Sequence, residues 1–171
     1  MTEEYAAARY EDACALLPGR LRAAAMTVER SRKAETEEIR LRIGRPVALT
    51  LPAMELSLPQ TRVIRGDLEQ VLDRATEYSR YVAAETLRHG YVTAEGGFRI
   101  GVCGTALPCG ERNEGIRDVS SLAIRIPRVR EDAARPVLPE LLEEGRPLSA
   151  LVLSPPGGGK TTLLRDLVRL L

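Results

Sequence analysis

The chain has 171 residues, 44% of them hydrophobic and 29% charged, which suits one soluble domain or a little more with a packed core. Its net charge of +1 gives no bulk field that would draw it to nucleic acid or to an anionic membrane. Three cysteines without a CxxC spacing, and the single His89, cannot complete a metal site and point to a reduced, intracellular protein. Apolar runs stay well short of the ~18 residues that a membrane span needs. The acidic Met-Thr-Glu-Glu start is unlike a signal peptide and predicts a cytoplasmic chain.

In chain order, residues 3–17 read as a helix, with Tyr5, Ala8, Arg9 and Asp12 on one side and Ala13, Leu16 and Leu17 extending an apolar stripe. Pro18-Gly19 stops it. Residues 20–36 carry few large apolar groups and read as a polar connector, helical or irregular. The period then changes to two. Ile39, Leu41 and Ile43 alternate with charges, Gly44-Arg45-Pro46 turns the chain, and Val47–Leu51 returns, which predicts a hairpin. Leu68, Val71, Leu72 and Ala75 restore helical spacing over 67–78. A further helix is expected from Ser79 to about Arg88, ended by Gly90.

A second hairpin follows, Tyr91–Glu95 and Phe98–Ala106 joined by Gly96-Gly97. Cys103, between Gly101 and Gly104, is expected to be a small buried hydrophobe, and the two glycines to mark a bulge or close packing. Cys109 falls in a predicted polar loop, 108–115, and residues 119–126 give another alternating strand. Residues 1–126 therefore read as an α+β domain of antiparallel hairpins and helices. Prolines punctuate 127–147, taken as a linker holding a short helix at 137–144.

Residues 148–171 form a different kind of unit. Leu148–Leu153 is a continuous apolar run, read as a strand buried on both faces. Ser154, Pro155, Pro156, Gly157, Gly158 and Gly159 make a loop, and a helix with Leu163, Leu164, Leu167 and Leu171 on one stripe begins at Lys160. Phosphate needs backbone N–H groups aimed at it, glycines let the backbone approach, and a helix N-terminus adds its dipole. Lys160 then reaches the β- and γ-phosphates, Thr161 is placed to ligate Mg²⁺, and Thr162 to bond an α-phosphate oxygen. The Walker A consensus G-x-x-x-x-G-K-[ST] is met at Gly159, Lys160 and Thr161, whereas its first glycine falls on Ser154. The segment reads as the first strand, phosphate loop and helix of a RecA-like α/β ATPase domain that takes ATP and Mg²⁺. Hydrolysis also needs an acidic residue at the end of a second core strand, and no apolar run ending in Asp or Glu follows. The expectation is weak nucleotide binding without turnover by these residues alone.

Several stretches together resemble the stage III sporulation protein AA family: 38–46, 90–93, 96–104, 116–126 and 154–166, in that order. Ser154 fits, because that family's loop commonly begins Ser-Pro-Pro-Gly. The resemblance implies kinship with the secretion and pilus-type traffic ATPases, which form hexameric rings, and a role in endospore formation. It places such a protein in the mother-cell cytoplasm, at the membrane through other stage III sporulation proteins. It also makes Arg125 and Arg128 candidates, by position, for approaching a γ-phosphate. Two readings follow: the N-terminal portion of an ATP-driven motor, or a non-catalytic assembly module of a sporulation channel complex whose nucleotide regulates assembly. Nucleic-acid binding is disfavoured, since Arg40, Arg42 and Arg45 have Glu37, Glu38 and Glu55 close by and no aromatics interleaved for base stacking. His89 has no nucleophile or paired acid spaced near it and reads as a polar group at a helix end.

Overall fold

The structure, a computed structural model, describes residues 3–76, 85–109, 112–127, 132–143, 145–155 and 158–171. The chain divides into two compact units, Thr2–Arg128 and Val129–Leu171.

The first unit is built on a six-stranded sheet: β1 (Glu38–Arg42), β2 (Val47–Thr50), β3 (Glu55–Leu58), β4 (Tyr91–Ala94), β5 (Phe98–Cys109) and β6 (Arg112–Arg125). Their order is β3-β2-β1-β6-β5-β4, antiparallel throughout. Two meanders, β1-β2-β3 and β4-β5-β6, are thus fused where β1 lies against β6, with Ile39 opposite Ile124 and Leu41 opposite Leu122. Period-two alternation decides what each strand buries. Ile39, Leu41, Val47, Leu49, Ile100, Val102, Leu122 and Ile124 all enter the core. The opposite face carries Arg40, Arg42 and Cys103, all exposed. Cys103 is therefore not the buried hydrophobe that its glycine neighbours suggest: its neighbour Val102 points inward, so the pleat turns Cys103 outward.

Both hairpins form as the alternation predicts, with Glu38 opposite Thr50 and Ala94 opposite Phe98. Gly96 and Gly97 take φ of 76° and 78°, the left-handed region that glycine enters without steric cost. β5 and β6 run further than predicted, pairing Pro108 with Asn113 and Cys109 with Arg112 through the segment read as a loop. A register shift between Cys103 and Thr105 puts Gly104 at an irregularity. A Cβ there would lie 2.6 Å from the Arg117 carbonyl oxygen and 2.7 Å from Ile116 Cγ2, so the bulge and the close approach are one feature.

Helices α1 (Glu3–Ala15), α2 (Gly19–Met26), α3 (Arg30–Glu35) and α4 (Arg65–Thr76) belong to the same unit. The predicted stripe holds, with Ala13 and Leu17 buried and Leu16 packed against the core, but its continuation up α1 runs through Ala7, Tyr10 and Cys14, leaving Tyr5 exposed. Residues 20–36 are no mere connector. They form α2 and α3, and Leu21 and Ala25 join the core cluster. Polar bonds tie these short helices to α1. The Tyr10 hydroxyl donates to the Ala25 carbonyl at 3.0 Å, and the Lys33 ammonium reaches Glu11 at 2.8 Å. Burial holds the Tyr10 hydroxyl well above the usual phenol range, so it stays a donor. On α4, Leu68, Val71 and Ala75 are buried as the spacing predicts. The helix start is fixed by Asp67, whose carboxylate accepts the Ile64 N–H at 2.7 Å and pairs with Arg20.

Residues 85–88 are helical and Gly90 follows at φ 80°; the rest of the helix predicted from Ser79, residues 79–84, lies outside the described residues.

The second unit contains a 3₁₀ turn (Leu138–Leu141), a two-residue ladder of β7 (Leu142–Glu143) with β8 (Arg146–Pro147), and helix α5 (Lys160–Leu170). The predicted helix at 137–144 is corrected to this 3₁₀ turn and hairpin. Gly145, at φ 78°, reverses the chain so that Leu142 faces Pro147. The predicted strand at 148–153 is also not formed. Residues 148–155 are irregular, with Leu151 82% and Leu153 81% exposed. A central strand exists only when neighbours take up its N–H and C=O groups, and no described strand lies beside this one.

Candidate functional site

The loop that the sequence singles out lies wholly in the second unit. Ser154, Pro155, Gly158, Gly159, Lys160, Thr161 and Thr162 are among the described residues; Pro156 and Gly157 are not. Gly159 stands at the N-cap of α5 with φ 85° and ψ 8°. A left-handed N-cap is unusual and is open to glycine for want of a Cβ. It swings the loop directly into the first helical turn, where the leading N–H groups have no intrahelical acceptor. The Gly159 carbonyl accepts the Leu163 N–H at 2.9 Å, so the helical ladder starts at the loop's last residue.

Lys160 occupies the first helical position, and its ammonium folds back into the loop. It donates to the Ser154 carbonyl at 2.7 Å, the Pro155 carbonyl at 3.1 Å and the Ser154 hydroxyl at 3.2 Å. Among the described residues no carboxylate pairs with this cation, so it gains hydrogen bonds without the counter-charge that an arriving phosphate would supply. Ser154 thus has a use at the position where the consensus has glycine: its hydroxyl is one of the three acceptors around Lys160.

Gly158 is required for a different reason. A Cβ on it would sit 2.6 Å from Ser154 Oγ and 3.1 Å from the Pro155 carbonyl oxygen, while its own N–H donates to that carbonyl at 3.1 Å. The loop closes on itself through this turn. Thr161 is exposed and Thr162 half-buried in the first turn of α5. A cleft of about 820 Å³ opens over the loop, with Ser154, Gly158, Gly159, Lys160 and Thr162 as its polar lining. Ala133, Val152, Leu153 and Leu163 supply apolar lining.

Farther along α5, Asp166 is a buried carboxylate that motif reasoning passes over. Only 3% exposed, it accepts the Ala134 N–H at 2.9 Å and is paired by Arg169 at 2.8 Å. The Ala134 N–H bond, with Arg169 beside it, holds the carboxyl below its usual range. The spacing Asp166-x-x-Arg169 was visible as an i, i+3 pair; the partner at residue 134 was not.

The remaining candidates fall elsewhere. Arg125 ends β6 in the first unit, exposed, opposite Glu38 on one side and Arg99 on the other. Arg128 lies outside the described residues. His89 is exposed in the turn before Gly90. Arg40 is paired with Glu38 at 2.6 Å and Glu55 at 3.3 Å, the solvated ion-pair face expected of that region. Among the described residues no cluster of His, Cys, Asp or Glu could hold a metal ion, and no helix is long and apolar enough to cross a membrane.

Comparison with known proteins places this chain in a family. Among solved structures, the X-ray structure of the Legionella pneumophila ATPase DotB is similar at a TM-score of 0.43 and 17% identity, over 80% of this chain and 38% of that one. Stage III sporulation protein AA of Bacillus subtilis (strain 168) is 38% identical over 155 residues, covering 91% of this chain. The chain spans half the length of that curated relative, 50%. The family model for sporulation stage III, protein AA matches residues 7–171, across both units and through the loop. The chain belongs to the stage III sporulation protein AA family.

Proposed function

We propose that Ser154–Thr162 bind the phosphates of ATP with Mg²⁺, and that the chain is the N-terminal portion of a traffic-type ATPase acting in endospore formation. The observation that carries this reading is the seat of Lys160. Its ammonium is held by Ser154 and Pro155 beside the left-handed Gly159, at the head of α5. Bound phosphate would take the ammonium from those carbonyls and accept the free N–H groups of the first turn. The Thr161 hydroxyl would help to hold Mg²⁺, which when bound would supply charge neutralisation for the phosphates. Thr162 would bond an α-phosphate oxygen.

Turnover needs an acid that holds the metal and orients water. Asp166, the acid nearest in sequence after the loop, is buried and committed to Ala134 and Arg169, so it does not serve. The loop is therefore expected to bind nucleotide without Asp166 taking the metal. A hexameric ring, contacts with other stage III sporulation proteins at the membrane, and a mother-cell cytoplasmic location complete the reading and rest on family membership. Magnesium-dependent ATP binding by the chain, compared with Lys160→Ala, tests it; equal affinity in both proteins would rule the loop out as the phosphate site.

A further inference from the structure

The phosphate-loop reading leaves Asp166 unexplained. It is a carboxylate about two helical turns from the loop, almost wholly buried, on a helix whose outer face is left to solvent: Leu164 and Val168 are 48% and 77% exposed. Burying a charge is costly unless it is paired and hydrogen-bonded. Asp166 is both, and its partners lie in one place. Oδ2 accepts the Ala134 N–H, Oδ1 accepts Arg169 Nε at 2.9 Å, and Arg169 also approaches Asp132 at 3.7 Å.

These bonds fasten the turn at 132–135 to α5. Asp132 holds φ 62°, a left-handed value uncommon outside glycine, and Arg135 reaches back to the Asp132 carboxylate at 3.3 Å. Ala134 is fully buried at 0% exposure. Ala133, between the strained residue and the fastened one, lines the cleft alongside Val152 and Leu163. The cleft therefore has two chemistries. Lys160, Thr162 and the loop glycines suit phosphate, whereas the alanine, valine and leucine suit a flat apolar group such as a nucleobase.

Resting on the phosphate-loop reading, we propose that Asp166 is a positioning residue: by holding the Ala134 N–H it sets Ala133 as a wall for the nucleoside half of the ligand, while Lys160 serves the phosphate half. The turn at 132–135 is thereby part of the nucleotide site and is ordered by the same helix that binds phosphate.

The test compares two probes, ADP and inorganic tripolyphosphate, each with Mg²⁺, on the full chain by calorimetry. Asp166→Ala is expected to weaken ADP about tenfold, the loss typical of a charge-assisted hydrogen bond, and to leave tripolyphosphate within about twofold. Lys160→Ala is expected to lose both. Asp166→Asn keeps an oxygen for the Ala134 N–H and is expected to recover most of the ADP affinity. That second variant also serves should Asp166→Ala fail to fold: a loss of ADP binding in Asp166→Asn as large as that in Lys160→Ala would contradict the hydrogen-bond role. Equal weakening of both probes by Asp166→Ala would reduce Asp166 to general support of the helix and overturn the proposal, as would no change in either. A wild-type chain that binds neither probe would overturn the phosphate-loop reading itself, and this inference with it.

Discussion

Gly104 gives the sharpest stability prediction. Its replacement by alanine adds one methyl group, and the structure states what that group meets: the Arg117 carbonyl oxygen at 2.6 Å, Ile116 Cγ2 at 2.7 Å and Val119 Cα at 3.0 Å. Two of the three are backbone atoms of β6, so no rotamer change relieves the contact. Relief requires β5 and β6 to part at the bulge, beside the inward-facing Val102 and Leu122. Overpacking of this kind costs about 1–3 kcal/mol. We place Gly104→Ala near the upper end, at about 2–3 kcal/mol, because backbone must move. Gly101→Ala is the matched control earlier on the same strand. Its Cβ would meet only Ala123, at 3.8 Å, an ordinary van der Waals contact. Since alanine also loses less backbone freedom on folding than glycine, Gly101→Ala is expected to be neutral or slightly stabilising. Urea unfolding followed by circular dichroism measures both. A Gly104→Ala protein within about 0.5 kcal/mol of wild type, or one no worse than Gly101→Ala, would refute the reasoning.

Other consequences are as direct. Tyr10→Phe removes the donor to the buried Ala25 carbonyl and should cost about 1–2 kcal/mol in the same unfolding assay, with little change in the core cluster. Asp67→Ala leaves the Ile64 N–H and the Arg20 guanidinium without their acceptor and should destabilise the chain by about 1–3 kcal/mol, with fraying at the start of α4 visible by hydrogen exchange. Cys14 and Cys103 should separate cleanly by reactivity. The exposed Cys103 is expected to be alkylated in the native protein, and the buried Cys14 only on unfolding, as read by peptide mass mapping. Burial also pushes the Cys14 thiol up to about 12 from an ordinary 9.0. Its neutral form therefore favours the folded state fully below pH 9, and that contribution is lost as pH rises through 12. A Cys14→Ala protein should lose part of this alkaline sensitivity.

Much of the sheet was legible because its signals are local. The alternation of Ile39 and Leu41 and the glycine pair at 96–97 each specify a hairpin within a short stretch of chain. The β1–β6 pairing was not legible, since it joins Ile39 to the distant Ile124 and rests on shape rather than on any turn. β3 escaped notice because its alternation is only four residues long and half-exposed. Residues 20–36 are helical, one of the two readings their composition allows, but their place in the core was not legible. Their tertiary anchors are Leu21, Ala25 and the Lys33–Glu11 pair, too sparse to show as a stripe. At the candidate site, the glycines, Lys160 and the helix were legible because backbone approach to phosphate leaves a compositional mark. The apolar run Leu148–Leu153 reads as a strand that the structure does not form, because such a run becomes a strand only when neighbours pair with it. Asp166 was invisible as a site residue, since its partner Ala134 offers only a backbone N–H, which leaves no trace in side-chain identity.

Every role proposed for the loop depends on Lys160 being a phosphate ligand. The most direct test is Mg²⁺-dependent ATP binding by the 171-residue chain, measured by calorimetry beside Lys160→Ala, with circular dichroism to show that both are folded. Binding by the wild type and at least a tenfold loss in the variant, about 1.4 kcal/mol, is the predicted result. Indistinguishable affinities in two equally folded proteins would contradict it.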